Sequence, residues 1–251
     1  MDTSKKSIII LPHLDDEFAL TPLIKCLAKY NKTNFKIIYC AERINESYLR
    51  KNIRRKESIS ALSSLGCGKG DVIYLNDSFE VQDLRLWKSS KEIFQFLVNF
   101  KKEFNFTQIV TLNFEGGHPD HDSLALIVDK FSSISNIEPF YIPAYNSRQT
   151  LLVPISVFRP LKNQIEFFST IKFSFFCWFD SLKIAYIYKT ERSAFIKLLP
   201  FILYQSIFSN KIFITNILNV ELVDWSNSIS LKRYKTDKDE IIKIVEEQSR
   251  L

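Results

Sequence analysis

Along the first 145 positions, short unbroken apolar runs alternate with stretches whose apolar residues fall at helical spacing. Ser7 to Leu11 is a continuous β-branched run closed by Pro12, the pattern of a strand buried on both faces. Phe18 to Tyr30 places Phe18, Leu20, Leu23, Ile24 and Leu27 on one helical stripe, and Phe35 to Cys40 reads as a second strand. Glu46 to Leu65 predicts a long charged helix with an apolar face of Leu49, Ile53, Ile59, Leu62 and Leu65, ended by Gly66 at its C-terminus. A third strand over Asp71 to Leu75 leads into Asn76-Asp77-Ser78. Ser90 to Phe104 is helical, Thr107 to Leu112 a fourth strand, Leu124 to Phe131 a helix, and Phe140 to Ile142 a fifth strand closed by Pro143.

This alternation predicts an α/β fold: a Rossmann-like, mostly parallel sheet with helices on both faces. Such sheets place their sites outside the carboxyl ends of the strands. Beyond Pro143 the pattern loosens. Short apolar runs over 151–189 (Leu151-Leu152-Val153, Ile165 to Phe168, Phe173 to Phe179, Ile184 to Tyr188) predict extra strands covering the core. Ala194 to Phe208 is apolar but interrupted by Lys197, Pro200 and Gln205; it reads as a core helix, with a helix on a membrane surface as the sharper alternative. Lys232 to Leu251 predicts a charged helix with an Ile241, Ile242, Ile244, Val245 stripe. With no repeat and no low-complexity linker, residues 1–251 read as one domain: a metal-binding core over 1–145 and an extension over 146–251 that completes the substrate site.

Composition narrows the classes. Hydrophobic content of 46% and charged content of 25% suit a folded soluble chain, and the net charge of +6 comes from 34 Lys and Arg against 28 Asp and Glu. A basic surface draws anionic substrates or membrane, but no dense basic block or nucleic-acid motif is present, so nucleic acid is not an expected partner. The four cysteines lack any CxxC pair, which argues against a zinc ribbon or a disulfide framework. The N-terminal apolar run is too short for a signal segment or a membrane span, so the expected location is cytoplasmic, peripheral to a membrane if the 194–208 segment lies on one.

The chemistry-bearing residues are concentrated. All three histidines lie in Pro12-His13-Leu14-Asp15-Asp16-Glu17 and Gly116-Gly117-His118-Pro119-Asp120-His121, and each segment follows a predicted strand. A catalytic zinc takes three protein ligands from His and Asp or Glu and leaves one position for water. His13 and Asp16 can face one ion, with His118 or His121 supplying the third ligand. Asp15 is then left beside the metal as a base, and the remaining histidine can protonate a leaving nitrogen: the parts for metal-assisted hydrolysis.

Pro12 to Glu17 together with His118 to His121 resembles the PIG-L-type, or LmbE-like, family of zinc-dependent N-acetylglucosaminyl deacetylases, which opens on Pro-His-x-Asp-Asp-Glu and later carries His-Pro-Asp-His. The family's Arg-x-x-Glu on a helix ending in Leu-Gly is matched by Arg54, Glu57, Leu65 and Gly66. The resemblance covers roughly the first 130 residues. It implies an LmbE-like fold and removal of an N-acyl group, acetyl by preference, from an amino sugar or a nucleotide- or lipid-linked conjugate in bacterial polysaccharide or glycoconjugate synthesis. It further implies His13, Asp16 and His121 as zinc ligands, Asp15 as general base, His118 as acid or oxyanion partner, and Asp120 as a hydrogen-bond partner of a histidine. Arg54 and Asp77 become candidates for gripping sugar hydroxyls or a phosphate. Zn2+ follows from ligand type, and Fe2+ suits the same donors.

Two positions depart from the family. Some members carry a tyrosine two residues before the first histidine of the second motif; here that position is Gly116, so a different donor is needed, and the glycine pair is expected to give a substrate close backbone access. Tyr204-Gln205-Ser206 is only a loose echo of the family's closing Tyr-x-Ser-Gln. The rival readings are a metal-dependent sugar-nucleotide glycosyltransferase using Asp15 and Asp16, which leaves the histidines without a role, and a non-catalytic membrane-surface or scaffold protein built on 194–208.

Overall fold

The computed structural model describes residues 1–31, 34–43, 47–147, 155–204 and 211–248. Five parallel strands, β1 (Ser7–Leu11), β2 (Phe35–Tyr39), β3 (Val72–Tyr74), β4 (Gln108–Leu112) and β5 (Glu138–Ile142), form one sheet in the order β3-β2-β1-β4-β5. Alternate residues of the continuous run in β1 serve opposite faces. Ile9 and Leu11 enter one core with α1 (Thr21–Tyr30) and α2 (Tyr48–Ser64), while Ile8 and Ile10 enter the other with α3 (Ser90–Phe104) and α4 (Pro119–Ser135). From β1 the chain winds outward to β2 and β3, then returns to lay β4 on the other side of β1. That reversal opens a crevice between the carboxyl ends of β1 and β4, and both histidine segments leave their strands there.

The extension differs from its expected form. A hairpin of β6 (Tyr145–Ser147) and β7 (Ile155–Val157) and a pair of β8 (Ser169–Lys172) with β9 (Lys211–Ile214) are strands. The apolar runs 173–179 and 184–188, however, are a single helix, α5 (Phe175–Ile187), and 165–168 falls in a 3-10 turn over Lys162–Phe167. Helical spacing is what α5 buries: Asp180, Ile184 and Tyr188 lie inside four residues apart, with Asp180 paired to Lys25 of α1. Leu151-Leu152-Val153 lies outside the described residues.

Two helices bury different faces from those the pattern suggested. In α2, Leu49 and Ile53 are exposed (69% and 41%), and the buried face is Arg54, Glu57, Ser58, Ala61 and Leu62. Its two charged members are met by the segment ahead of α6 (Arg192–Tyr204): Arg54 pairs with Glu191, and Glu57 accepts from Lys189 N at 2.9 Å and from the Thr190 hydroxyl. The core-helix reading of 194–208 fails for most of α6, where Phe195 is buried, Leu198, Leu199 and Phe201 are half-buried, and Ile196 is 58% exposed. Gln205 to Phe208 lies outside the described residues, and among those described no helix is long and apolar enough to cross a membrane. The predicted tail helix is two: α7 (Ile229–Tyr234) stops at Lys235, whose φ of 54° is left-handed, and α8 (Lys238–Gln248) buries Ile241 and Val245.

The glycine pair before His118 is filled by protein rather than open to a ligand, which corrects the expected role. An added Cβ at Gly117 would stand 2.1 Å from the Tyr145 carbonyl oxygen, and one at Gly116 (φ 67°) would stand 2.8 Å from Ser228 Cβ. Gly117→Ala must therefore displace backbone. We expect a loss on the order of 1–3 kcal/mol, read as a lower midpoint in thermal melting; an unchanged midpoint would refute the close approach.

Candidate metal centre and active site

The site is built from two turns. After β1, the His13 backbone N–H donates to Asp16 Oδ2 at 2.9 Å, folding that carboxylate back over its own loop, 3.3 Å from His13 Nδ1. Its other oxygen lies 3.2 Å from His121 Nε2, so one carboxylate spans the tips of β1 and β4. His121 sits in the first turn of α4, which His118 caps: Asp120 N–H donates to His118 Nδ1 at 3.2 Å. Pro119 at the first helical position gives up an N–H that would have had no partner there. The three imidazoles converge, with ring centroids 4.8 Å (His13–His118), 5.7 Å (His13–His121) and 5.1 Å (His118–His121) apart.

Asp120 is fully buried and acts as a clamp. It accepts from His13 Nε2 at 2.9 Å and from the backbone N–H of Leu84 at 2.6 Å and Leu86 at 2.9 Å. With Nε2 so engaged, Nδ1 is the nitrogen that His13 offers to an ion, and a carboxylate behind a ligand histidine fixes its tautomer and ring. Bonds of about 2.0–2.1 Å to a tetrahedral ion put neighbouring donors roughly 3.3 Å apart. Asp16 Oδ2 stands 3.3 Å from His13 Nδ1 and Asp16 Oδ1 3.2 Å from His121 Nε2, each near that edge but through different oxygens, and two imidazoles with a carboxylate are donors of the type a zinc ion takes. Among the described residues, the groups whose ligand atoms all lie within 4.8 Å of one another are the three histidines, and His13 with Asp83 and Asp120.

Charge is tightly balanced here. Burial works against a charged His13, but Asp120, Asp16 and Asp83 outweigh it and hold its pKa well above the ordinary value. Burial would raise Asp16, yet His121 and His13 bring it down. Burial and then the adjacent Asp16 push Asp15 well up, with Arg54 opposing. His118 is driven well below its ordinary value by burial and by the charges of His13 and His121, so it rests as a neutral imidazole. Asp15 holds φ at 105°, a left-handed conformation rare for a side-chain-bearing residue, braced by its N–H to Glu17 Oε2 at 3.0 Å.

Arg54 is buried at 4% exposure, not a solvated charge. It reaches Leu14 O at 2.9 Å, Asp15 Oδ1 at 3.6 Å and Glu191, which also takes Arg43 at 3.1 Å. Its guanidinium holds the strained turn and also lines the cavity. Asp77 is not brought to the site: it sits past β3 at the sheet's edge, exposed and paired with Arg55 at 2.7 Å, and does not line the cavity. The carboxylate that does line it is Asp83, 3.2 Å from His13 Nε2, which no motif marked. The cavity, about 620 Å³, takes further wall from the extension: Tyr145, Phe158, Glu191, the α6 residues Phe195 and Lys197, and Arg233 and Tyr234.

A family model, PIG-L: GlcNAc-PI de-N-acetylase, matches residues 8–132, which contain both histidine segments. No curated protein matches the chain. Among solved structures, a deacetylase of the teicoplanin biosynthesis pathway aligns with a TM-score of 0.54 at 13% identity over 83% of this chain and 96% of its own. The pseudoaglycone deacetylase of the antimicrobial reagent A40926 aligns at 0.52 and 16% identity, over 83% and 87%. At such identities the likeness establishes the fold. The N,N'-diacetylchitobiose deacetylase of Pyrococcus horikoshii is 24% identical with a TM-score of 0.40 over 52% of this chain, which spans only 50% of that one.

One buried acid beside the histidine loop makes stability depend on pH. Burial pushes Glu115 up to about 8, against hydrogen bonds from Asn146 Nδ2 and Ala144 N, both at 2.9 Å. Between the ordinary 4.5 and about 8 the folded chain keeps a proton that the unfolded chain has released, so stability falls as pH rises through that window. Asp122, pushed up to about 6, acts in the same sense. Glu115→Gln should flatten the decline by up to about 1.4 kcal/mol per pH unit. Denaturant unfolding across that window at fixed metal concentration checks it; an unchanged slope would count against a protonated Glu115.

Proposed function

We propose, on the premise that the chain belongs to the PIG-L family, that it is a metal-dependent hydrolase removing an N-acyl group, acetyl by preference, from an amino sugar or amino-sugar conjugate. The supporting observation is one carboxylate, Asp16, spanning His13 and His121 with one oxygen toward each, and a second carboxylate, Asp15, beside it in the same cavity. A glycosyltransferase reading gives the convergent imidazoles no task. His13, Asp16 and His121 would hold the ion, zinc by donor type and iron(II) as the alternative. Such an ion acidifies a bound water and polarises a carbonyl.

The chain's own residues do the rest. Asp15, its pKa raised by burial, takes the proton of the attacking water as the new C–O bond forms, and the same proton passes to the nitrogen as the C–N bond breaks. Of the two roles expected of His118, acid or oxyanion partner, we take the second. Its Nδ1 accepts from Asp120 N, so Nε2 keeps the hydrogen of the neutral ring and donates to the carbonyl oxygen as charge builds there. Asp83, at the cavity wall where Asp77 had been expected, would accept from sugar hydroxyls.

Asp15→Asn is the cleanest test, because Asn tolerates the left-handed backbone that Asp15 occupies. It should retain metal while turnover falls by about 10³-fold or more. The assay is acetate release from N,N'-diacetylchitobiose and a panel of nucleotide- and lipid-linked N-acetyl sugars; wild-type-like rates would refute the base. Elemental analysis then separates the possible ligand sets. His121→Ala should lose the ion under either set; Asp16→Asn should lose it and His118→Ala should keep it, whereas retention in Asp16→Asn with loss in His118→Ala would point to the three-histidine set.

A further inference from the structure

Breaking an amide gathers negative charge on its oxygen, and each donor aimed there lowers the barrier. The loop before His118 offers no side-chain donor, and the packing explains why none fits. The positions of Gly116 and Gly117 are closed by Ser228, Val223 and the Tyr145 carbonyl. The segment that closes one of them also carries a phenol to the site. Ser230 N–H donates to Gly116 O at 3.0 Å, Ser230 Oγ to Asp122 Oδ2 at 3.2 Å, and Trp225 Nε1 to Thr236 O at 3.1 Å. The Trp225 ring stacks on Phe114 at 5.7 Å. Anchored in this way, α7 ends on Tyr234, whose ring stands edge-on to His118 with centroids 4.8 Å apart and which lines the cavity.

Resting on the hydrolase reading above, we propose that Tyr234 is a catalytic residue whose phenol donates to the amide carbonyl oxygen alongside His118 Nε2. Tyr234 is half-buried, so its hydroxyl can meet a substrate entering from solvent. The other phenol on the cavity, Tyr145, stands beside His121 at 5.3 Å, on the side of the ion's ligands rather than of His118. Tyr234 lies outside the residues that match the family model, so this donor is supplied by the extension.

The test compares wild type, Tyr234→Phe and Tyr145→Phe, each as the full zinc-loaded chain. Phenylalanine keeps the ring against His118, so a purely structural role would leave kinetics, zinc content and melting temperature alike unchanged. With N,N'-diacetylchitobiose, or whichever N-acetyl sugar of the panel the wild type hydrolyses, Tyr234→Phe should lower kcat by about 10²-fold and leave KM within about threefold. Zinc content and melting temperature should not move. A wild-type kcat in Tyr234→Phe, or a loss found in Tyr145→Phe instead, would overturn the assignment and leave the hydrolase reading standing. A wild type that releases acetate from no member of the panel would overturn both.

Discussion

Everything at the crevice turns on the Asp16 carboxylate reaching two imidazoles that arrive from different strands. His13 leaves β1 and His121 enters α4 after β4, more than a hundred residues later, and these strands are neighbours only because the chain reverses its winding direction between them. The fold therefore does chemical work at one place, where two adjacent parallel strands end side by side. Because Asp16 is also pinned by the His13 backbone N–H, the carboxylate cannot swing away without unmaking the turn that presents it.

Behind that contact stands a set of buried charges, each carrying a cost unless it is paired. Asp120 meets it with three donors, one being His13 and two being backbone N–H groups of the 84–86 loop. Arg54 meets it through Leu14 O, Asp15 and Glu191. The consequence is mechanical as well as electrostatic. The strained backbone at Asp15 is held on one side by its own loop and on the other by an arginine latched to the residue before α6. Removing Arg54 would take one partner from Glu191 and the brace from the Asp15 turn together, so it would act on the positioning of that turn.

Such pairings also mark where the sequence stops being legible. The strands β1 and β4 and the convergence of the histidine segments could be read from unbroken apolar runs, because burial on both faces leaves a local imprint. The docking face of α2 could not, since Arg54 and Glu57 look like solvated charges until their partners at 189–191 are known. Asp77 and Asp83 illustrate the same limit at the site. Both are single acids after β3, and only the path of the loop decides that one pairs with Arg55 at the sheet's edge while the other lines the cavity. In α5 the short apolar runs favoured strands, and the four-residue spacing of Asp180, Ile184 and Tyr188 was the better signal.

The division between what was legible and what was not corresponds to a division of labour. The residues proposed to hold the ion and to take the water's proton all lie within 8–132, whereas much of the cavity wall (Tyr145, Phe158, Glu191, Phe195, Lys197, Arg233, Tyr234) lies beyond them. A wall built from short elements, each pinned by a few contacts such as Ser230 on Asp122, can change without disturbing the strand tips. The bond-breaking parts, by contrast, sit where a shift of the sheet would separate Asp16 from His121. Choice of substrate can therefore vary in this architecture while the reaction stays fixed, and Gly116 shows the coupling between the two. The loop gives up a side chain so that Ser228 can pack against it, and α7 then stands where its last residue meets His118.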